Sequence, residues 1–345
     1  MISKEKWAIV LFIGGATACG SMTSTNRRNY ELDSGVESTA GGVDKKTAGS
    51  SDAVGLERRS EAKAPENSAA TPSGDSPTSA SRSFQCPRHP ILLHHGFMSG
   101  STMGSFKKAK EHFTAKGCKI FETEVNAVQT SEFRGKQLAS QIGKILSESG
   151  ASRVNIIAHS QGGLDARYAL AAAGAAPQTA SLSTISTPHF GTPIADKSLE
   201  MSGPLGQKAM ALMLNLMGRA INGHTQDPDT MAAVKSLTVE YMTKTFNPQY
   251  PNANDVYYQS WSAVSGAGTQ DRLKTMMLIG HTIISNASGP NDGVVPETSA
   301  HWGEFQGTLQ ADHLDLIGYK LLDRGGFDHL KFLEGLIIDL AKKGY

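Results

Sequence analysis

The serine in Ala158-His159-Ser160-Gln161-Gly162 has small residues two places before and two places after it. Set between an apolar strand and a helix, this pattern forms a sharp turn that lifts the hydroxyl clear of a sheet, where it can act as a nucleophile. A serine hydroxyl is weakly nucleophilic until a base takes its proton and an acid orients that base. In the strand–turn–helix setting the acid and then the base follow the serine along the chain. Asp292 is the candidate acid, in the turn-rich segment Ser288-Gly289-Pro290-Asn291-Asp292-Gly293 that follows the strand-like run Met276 to Ile284. Ordinary turn chemistry also favours Asn-Asp-Gly. The downstream histidines are His189, His224, His281, His301, His313 and His329, and position alone selects none of them as the base.

The elements that must position these groups are legible as alternating patterns. Pro90 to His95, Cys118 to Val125, Arg153 to Ala158 and Ser181 to Ser186 read as strands, the third mainly apolar in character, as a strand covered on both faces would be. Between and after them, Ser105 to Lys116, Gly135 to Ser149, Gly162 to Ala173 and Lys331 to Lys343 read as helices. Strands alternating with helices predict a parallel sheet in an α/β domain. The stretch from about Ala195 to Asn252 interrupts the alternation, and within Gly206 to Ala220 it carries Met210, Met213, Leu214 and Met217 on one stripe. Such a surface reads either as ordinary core or as a mobile lid over an apolar ligand.

The chain has 345 residues, 33 basic and 32 acidic, for a formal net charge of +1, which argues against a nucleic-acid partner. Residues 1–18 have the charged, apolar and small-residue regions of a signal peptide, too short to span a bilayer as a mature helix. Residues 19–84 are poor in aliphatic and aromatic side chains and read as a disordered tether, leaving 85–345 as the folded domain. Cys19, directly after the cleavage region, is placed as in a lipidated bacterial lipoprotein, although Ala16-Thr17-Ala18 would equally suit ordinary cleavage and secretion. The expectation is an exported protein, membrane-anchored through lipid on Cys19 or secreted without it. Cys86 and Cys118 read as one disulfide or as two buried thiols.

The segments ILLHHGF, TSEFRGKQL, RVNIIAHSQGGLDARYA, STISTPHFGTPIAD, YYQSWSA, NDGVVP and DHLDLIG, in this order, resemble the secreted bacterial triacylglycerol lipases of the pseudomonad type, within the α/β-hydrolases. The resemblance implies a mostly parallel sheet with helices on both faces and a helical lid insertion at about 195–252. It implies Ser160 as nucleophile, Asp292 as acid and His313 as base, with the backbone N–H groups of Phe97 and Gln161 forming the oxyanion hole and His95 helping to hold their loop. It further implies a structural calcium ion bound by Asp271, Asp315 and the backbone carbonyls of Tyr319 and Asp323, oxygen ligands of the kind calcium prefers. The disulfide of that family is not reproduced, since no cysteine follows Pro296.

The expected activity is therefore hydrolysis of carboxylic esters through an acyl-enzyme, with lipid esters as the favoured substrates. One rival is a carboxylesterase on shorter soluble esters. Another is a surface-tethered binding protein that keeps the fold without the chemistry, against which stands the complete set of Ser160, Asp292, His313 and the HHGF loop. A dedicated lipase chaperone is required by some members of that family, and nothing in the sequence decides for or against one here.

Overall fold

The computed structural model describes residues 84–97, 106–200, 229–266, 268–269, 273–319 and 326–345. The signal-peptide region, Cys19, the tether and the Met-rich stripe of Gly206 to Ala220 lie outside these residues. Among the described residues no helix is long and apolar enough to cross a membrane.

Six strands form one sheet: β1 (Ile91–His94), β2 (Ile120–Glu122), β3 (Val154–His159), β4 (Thr179–Ile185), β5 (Tyr257–Val264) and β6 (Glu304–Gln310), in the order β2-β1-β3-β4-β5-β6. Every neighbouring pair is parallel. The helices are α1 (Lys107–Ala115), α2 (Ser131–Ser149), α3 (Gly162–Ala172), α4 (Pro193–Glu200), α5 (Thr230–Lys235), α6 (Leu278–Ser288) and α7 (His329–Lys342). A short helical run with a π-helical turn at Met242–Phe246 precedes β5.

Both faces of the sheet are covered, so strands such as β1 carry apolar residues on both. Alternate residues of a strand point to opposite faces. Ile91 and Leu93 therefore pack with Phe113 of α1 and Leu333 and Ile337 of α7, while Leu92 packs with Leu138 and Ile142 of α2 on the other face. Helix α2 begins four residues before the expected start, because Thr130 caps it by accepting a hydrogen bond from the Phe133 N–H at 3.3 Å. Cys86 and Cys118 form a disulfide, fastening the approach to β1 against the segment before β2.

The strand expected at Met276 to Ile284 is a helix, α6. A short, mainly apolar run does not distinguish a buried strand from a helix. Here Gly280, Ile283 and Ile284 are buried at helical spacing, while Leu278 and Ile279 are exposed. Two strands have no counterpart in the sequence reading. In β5 the apolar residues are interrupted by Gln259, Ser260 and Ser262, and β6 is an edge strand whose residues are largely exposed. The described residues between β4 and β5 are helical where they are regular, consistent with an interruption of the strand–helix alternation.

Strand order reverses between β1 and β3, where the chain first builds β2 on one side and then continues on the other. The loops leaving the C-terminal ends of two such strands diverge, and the crevice between them is where open α/β sheets place their ligands. The HHGF loop leaves β1 and the Ser160 turn leaves β3.

Candidate active site

Ser160 stands between the last residue of β3 and the first of α3, with a left-handed backbone at φ 56°. A non-glycine residue is held there only when its surroundings over-determine it. The Ser160 N–H donates to the Ile185 carbonyl at 3.0 Å, and its carbonyl accepts from Thr187 Oγ1 at 2.8 Å. The glycines around it are required by close approach. A Cβ on Gly162 would lie 2.8 Å from the His95 carbonyl oxygen, and one on Gly163 would lie 2.2 Å from Thr187 Oγ1. On the opposite wall, a Cβ on Gly96 would lie 2.5 Å from the Ser160 Cβ, so the loop after β1 passes directly against the serine.

Of the downstream histidines, the tertiary structure brings His313 to Ser160. His313 Nε2 lies 2.9 Å from Ser160 Oγ, and His313 Nδ1 lies 2.7 Å from Asp292 Oδ2. A neutral ring that donates from Nδ1 to the carboxylate accepts the serine proton at Nε2. His189 instead bonds Thr184 and stacks on Trp302, His281 bonds the Ser265 carbonyl, and His301 pairs with Glu297. His329 heads α7 and lies against Gly318, and His224 is outside the described residues.

Asp292 is placed by the end of β5 rather than by a strand of its own, since the Ser265 N–H just beyond β5 donates to the Asn291 carbonyl at 3.1 Å. Its Oδ1 accepts the amides of Val294 and Val295 at 2.9 and 2.8 Å, and its Oδ2 accepts from His313 and from Ser186 Oγ. Fully buried, the carboxylate is held in place by four donors. Two further imidazoles flank the site. Burial pushes His95 well below the ordinary imidazole range, helped by His94 and Arg134, and burial followed by the charge of His313 does the same to His159. Both therefore stay neutral beside His313.

Phe97 and Gln161 are buried, and their backbone N–H groups donate to no partner among the described residues. Two such amides beside the serine can receive a developing oxyanion. The Gln161 side chain is spent elsewhere, donating to the Gln129 carbonyl at 2.9 Å.

Sequence reasoning missed the group that holds this loop. Arg134 of α2 is fully buried, and its guanidinium donates to Asp165 Oδ2 at 2.7 Å, to the Asn126 carbonyl at 2.7 Å, and to the His95 and Gly96 carbonyls at 2.9 and 3.1 Å. His94 joins the same carboxylate oxygen at 3.1 Å and binds Thr123 through its other nitrogen. His95 bonds the Gly96 carbonyl at 3.1 Å and adds to the hold on the loop. The available signal was a charge on an apolar stripe, since Arg134 shares a face with Leu138, Ile142 and Ile145. Ser186 was missed as well, for it sits in a polar run with no spacing that marks it.

Of the calcium ligands that the resemblance implied, Asp271 and Asp323 lie outside the described residues, and Tyr319 closes the histidine loop by donating its N–H to the Leu314 carbonyl at 3.0 Å. At Asp315 the charge partner present is an ammonium, since its Oδ1 accepts from Lys274 Nζ. Among the described residues no cluster of three or more His, Cys, Asp or Glu side chains is arranged around a metal position.

A doubly covered parallel sheet with a strained serine at its switch point, an adjacent histidine and a buried aspartate defines the α/β-hydrolase class. Residues 85–265 match the family described as "Putative serine esterase (DUF676)". The triacylglycerol lipase of Pseudomonas fragi is 31% identical over 288 residues, covering 74% of this chain and 96% of that protein. That of Vibrio cholerae is 31% identical over 262 residues, covering 67% and 80%. In fold, a Bacillus licheniformis lipase superposes with a TM-score of 0.54 at 22% identity, covering 73% of this chain and 92% of that one. A metagenomic carboxyl esterase superposes with a TM-score of 0.57 at 17% identity, covering 79% and 80%. The chain belongs to the serine esterase family of bacterial triacylglycerol lipases and is an ester hydrolase of the lipase/esterase type.

Proposed function

We propose that the protein is a triacylglycerol lipase acting through a Ser160–His313–Asp292 triad and an acyl-enzyme. The observation that carries this is the unbroken line from Ser160 Oγ through both nitrogens of His313 to the Asp292 carboxylate. Ser160 Oγ attacks the ester carbonyl as His313 Nε2 takes its proton. The tetrahedral oxyanion then accepts from the Phe97 and Gln161 amides, each worth about 2.7–4 kcal/mol of transition-state stabilisation. Collapse expels the alcohol, which receives the proton from His313, and leaves the acyl group on Ser160. Water, deprotonated by the same imidazole, attacks the acyl carbonyl and releases the acid. Throughout, Asp292 holds the imidazole in one tautomer and stabilises its charged form.

The similarity to triacylglycerol lipases favours an apolar acyl chain. Phe97, Leu164, Val294 and Leu314, each close in sequence to a triad or oxyanion residue, belong to one apolar cluster. Hydrolysis of p-nitrophenyl esters of graded chain length, below and above the concentration at which they form an interface, tests the substrate class. A rate jump at the interface with long chains is expected, whereas a fall-off beyond short chains would make the protein a carboxylesterase on soluble esters. Ser160→Ala tests the chemistry: kcat falls by about 10⁶-fold if Ser160 is the nucleophile. Hydrolysis equal to wild type would refute the assignment, and a wild-type protein inert on every ester would leave a binding protein.

A further inference from the structure

The loop that presents His313 is gripped by an ammonium group. Lys274 is buried, and its Nζ reaches both oxygens of Asp312 at 3.1 and 3.0 Å as well as Asp315 Oδ1. Its backbone N–H donates to Asp312 Oδ2 at 3.2 Å. The two carboxylates, also buried, stand one residue before and two residues after His313. Asp312 Oδ1 further accepts the amides of Leu314 and Asp315, each at 3.0 Å, and so closes the backbone turn on which His313 stands. Two buried carboxylates this close repel each other unless a cation lies between them.

Lys274 also connects this turn to the acid. It directly precedes the 3-10 turn Thr275–Met277 that opens α6, and the chain from α6 leads to Asp292. Met277 then packs against the residue after the acid, for a Cβ on Gly293 would lie 2.7 Å from the Met277 Cβ. The ammonium, the turn bearing the base and the loop bearing the acid therefore form one continuous assembly.

We propose that Lys274 is a positioning residue for ester hydrolysis: an internal cation that holds the His313 turn in register with Ser160, taking the place of the calcium ion implied by the lipase resemblance. The proposal rests on His313 being the base. It makes this loop independent of metal, because the charge that neutralises Asp312 and Asp315 is covalently part of the chain. Lys274 acts through His313 and does not touch the reacting atoms.

The test uses the purified full-length protein. After treatment with EDTA, calorimetric titration with CaCl2 is expected to give no saturable site that depends on Asp315, and the Tm stays the same in chelator and in millimolar calcium. Calcium binding to wild type that is lost in Asp315→Asn, or a Tm lowered by EDTA, overturns the proposal. In parallel, Lys274→Met is expected to lose kcat by about 10²-fold, the scale of a slightly misplaced catalytic group, with KM changed far less. Lys274→Arg, which keeps a cation, recovers most of the loss. A Lys274→Met enzyme with wild-type kcat overturns the proposal, and Lys274→Gln replaces it in the measurement if the methionine variant does not fold. The calcium titration needs no turnover, and Ser160→Ala tests the triad separately, so failure of the one reading is distinguishable from failure of the other.

Discussion

Ser186 Oγ donates to Asp292 Oδ2 at 2.5 Å, the same carboxylate oxygen that accepts from His313 Nδ1. Ser186 follows β4 with a left-handed backbone at φ 46°, and its N–H donates to the Trp261 carbonyl at 2.9 Å. The backbone strain of a non-glycine residue is thus coupled to a hydroxyl aimed at the acid.

Removing that hydroxyl is expected to slow the reaction while leaving the fold intact. A hydrogen bond to a charged group contributes about 1.5–3 kcal/mol, so Ser186→Ala should lower kcat/KM by about 10- to 10²-fold. Ser186→Gly, which relieves the left-handed backbone but also lacks the hydroxyl, should lose as much rate without losing stability. A glycine variant with wild-type kcat/KM would show that the hydroxyl has no part in holding Asp292.

Arg134 is expected to carry two separable effects. Arg134→Met leaves the Asp165 carboxylate buried without its main partner, which should cost about 3–5 kcal/mol in chemical denaturation. It also frees the His95 and Gly96 carbonyls, letting the Phe97 amide drift from the oxyanion position and lowering kcat. Arg134→Met/Asp165→Asn should regain part of the stability but not the rate, since the loop is still unheld. Wild-type kcat in either variant would remove Arg134 from the account of the oxyanion loop.

Acidification is expected to destabilise the protein before its carboxylates titrate. His95, His159 and His189 are pushed well below the ordinary 6.5 by burial, with the nearby charge of Arg167 adding to the effect at His189. As pH falls below 6.5 the unfolded chain takes up protons on these residues while the folded chain does not. Stability is therefore full above that pH and falls beneath it, by about 1.4 kcal/mol per pH unit for each histidine. Glu122 and Asp196, raised by burial, oppose this trend only at lower pH. Urea midpoints at pH 7.5 and pH 5.5 measure the effect, and equal midpoints would contradict it.

Much of the fold was legible because it rests on local patterns. Arg153 to Ala158 is mainly apolar because β3 is covered on both faces, and α3 begins at Gly162 as expected because the serine turn dictates it. Residues Met276 to Ile284 misled because an apolar run has no periodicity to distinguish helix from strand, and only packing exposed Leu278 while burying Ile283 and Ile284. Strands β5 and β6 were missed because they are rich in polar residues, and what makes them strands is pairing with β4 and with each other.

The sequence by itself determined the strand–turn–helix around Ser160, and it marked Asp292 in the Asn291-Asp292-Gly293 turn as a candidate acid and, through similarity to lipases, His313 as the candidate base. Spacing and composition could go that far because turns and nucleophile motifs are set by neighbours in the chain. The tertiary structure decided which other groups act on them. Ser186 meets Asp292 across 106 positions, Arg134 meets the His95 carbonyl across 39, and Lys274 meets Asp312 across 38. Each is a buried polar group whose partner is fixed by the need to satisfy charge and hydrogen bonds inside a folded interior, a constraint that exists only once the chain has closed around it.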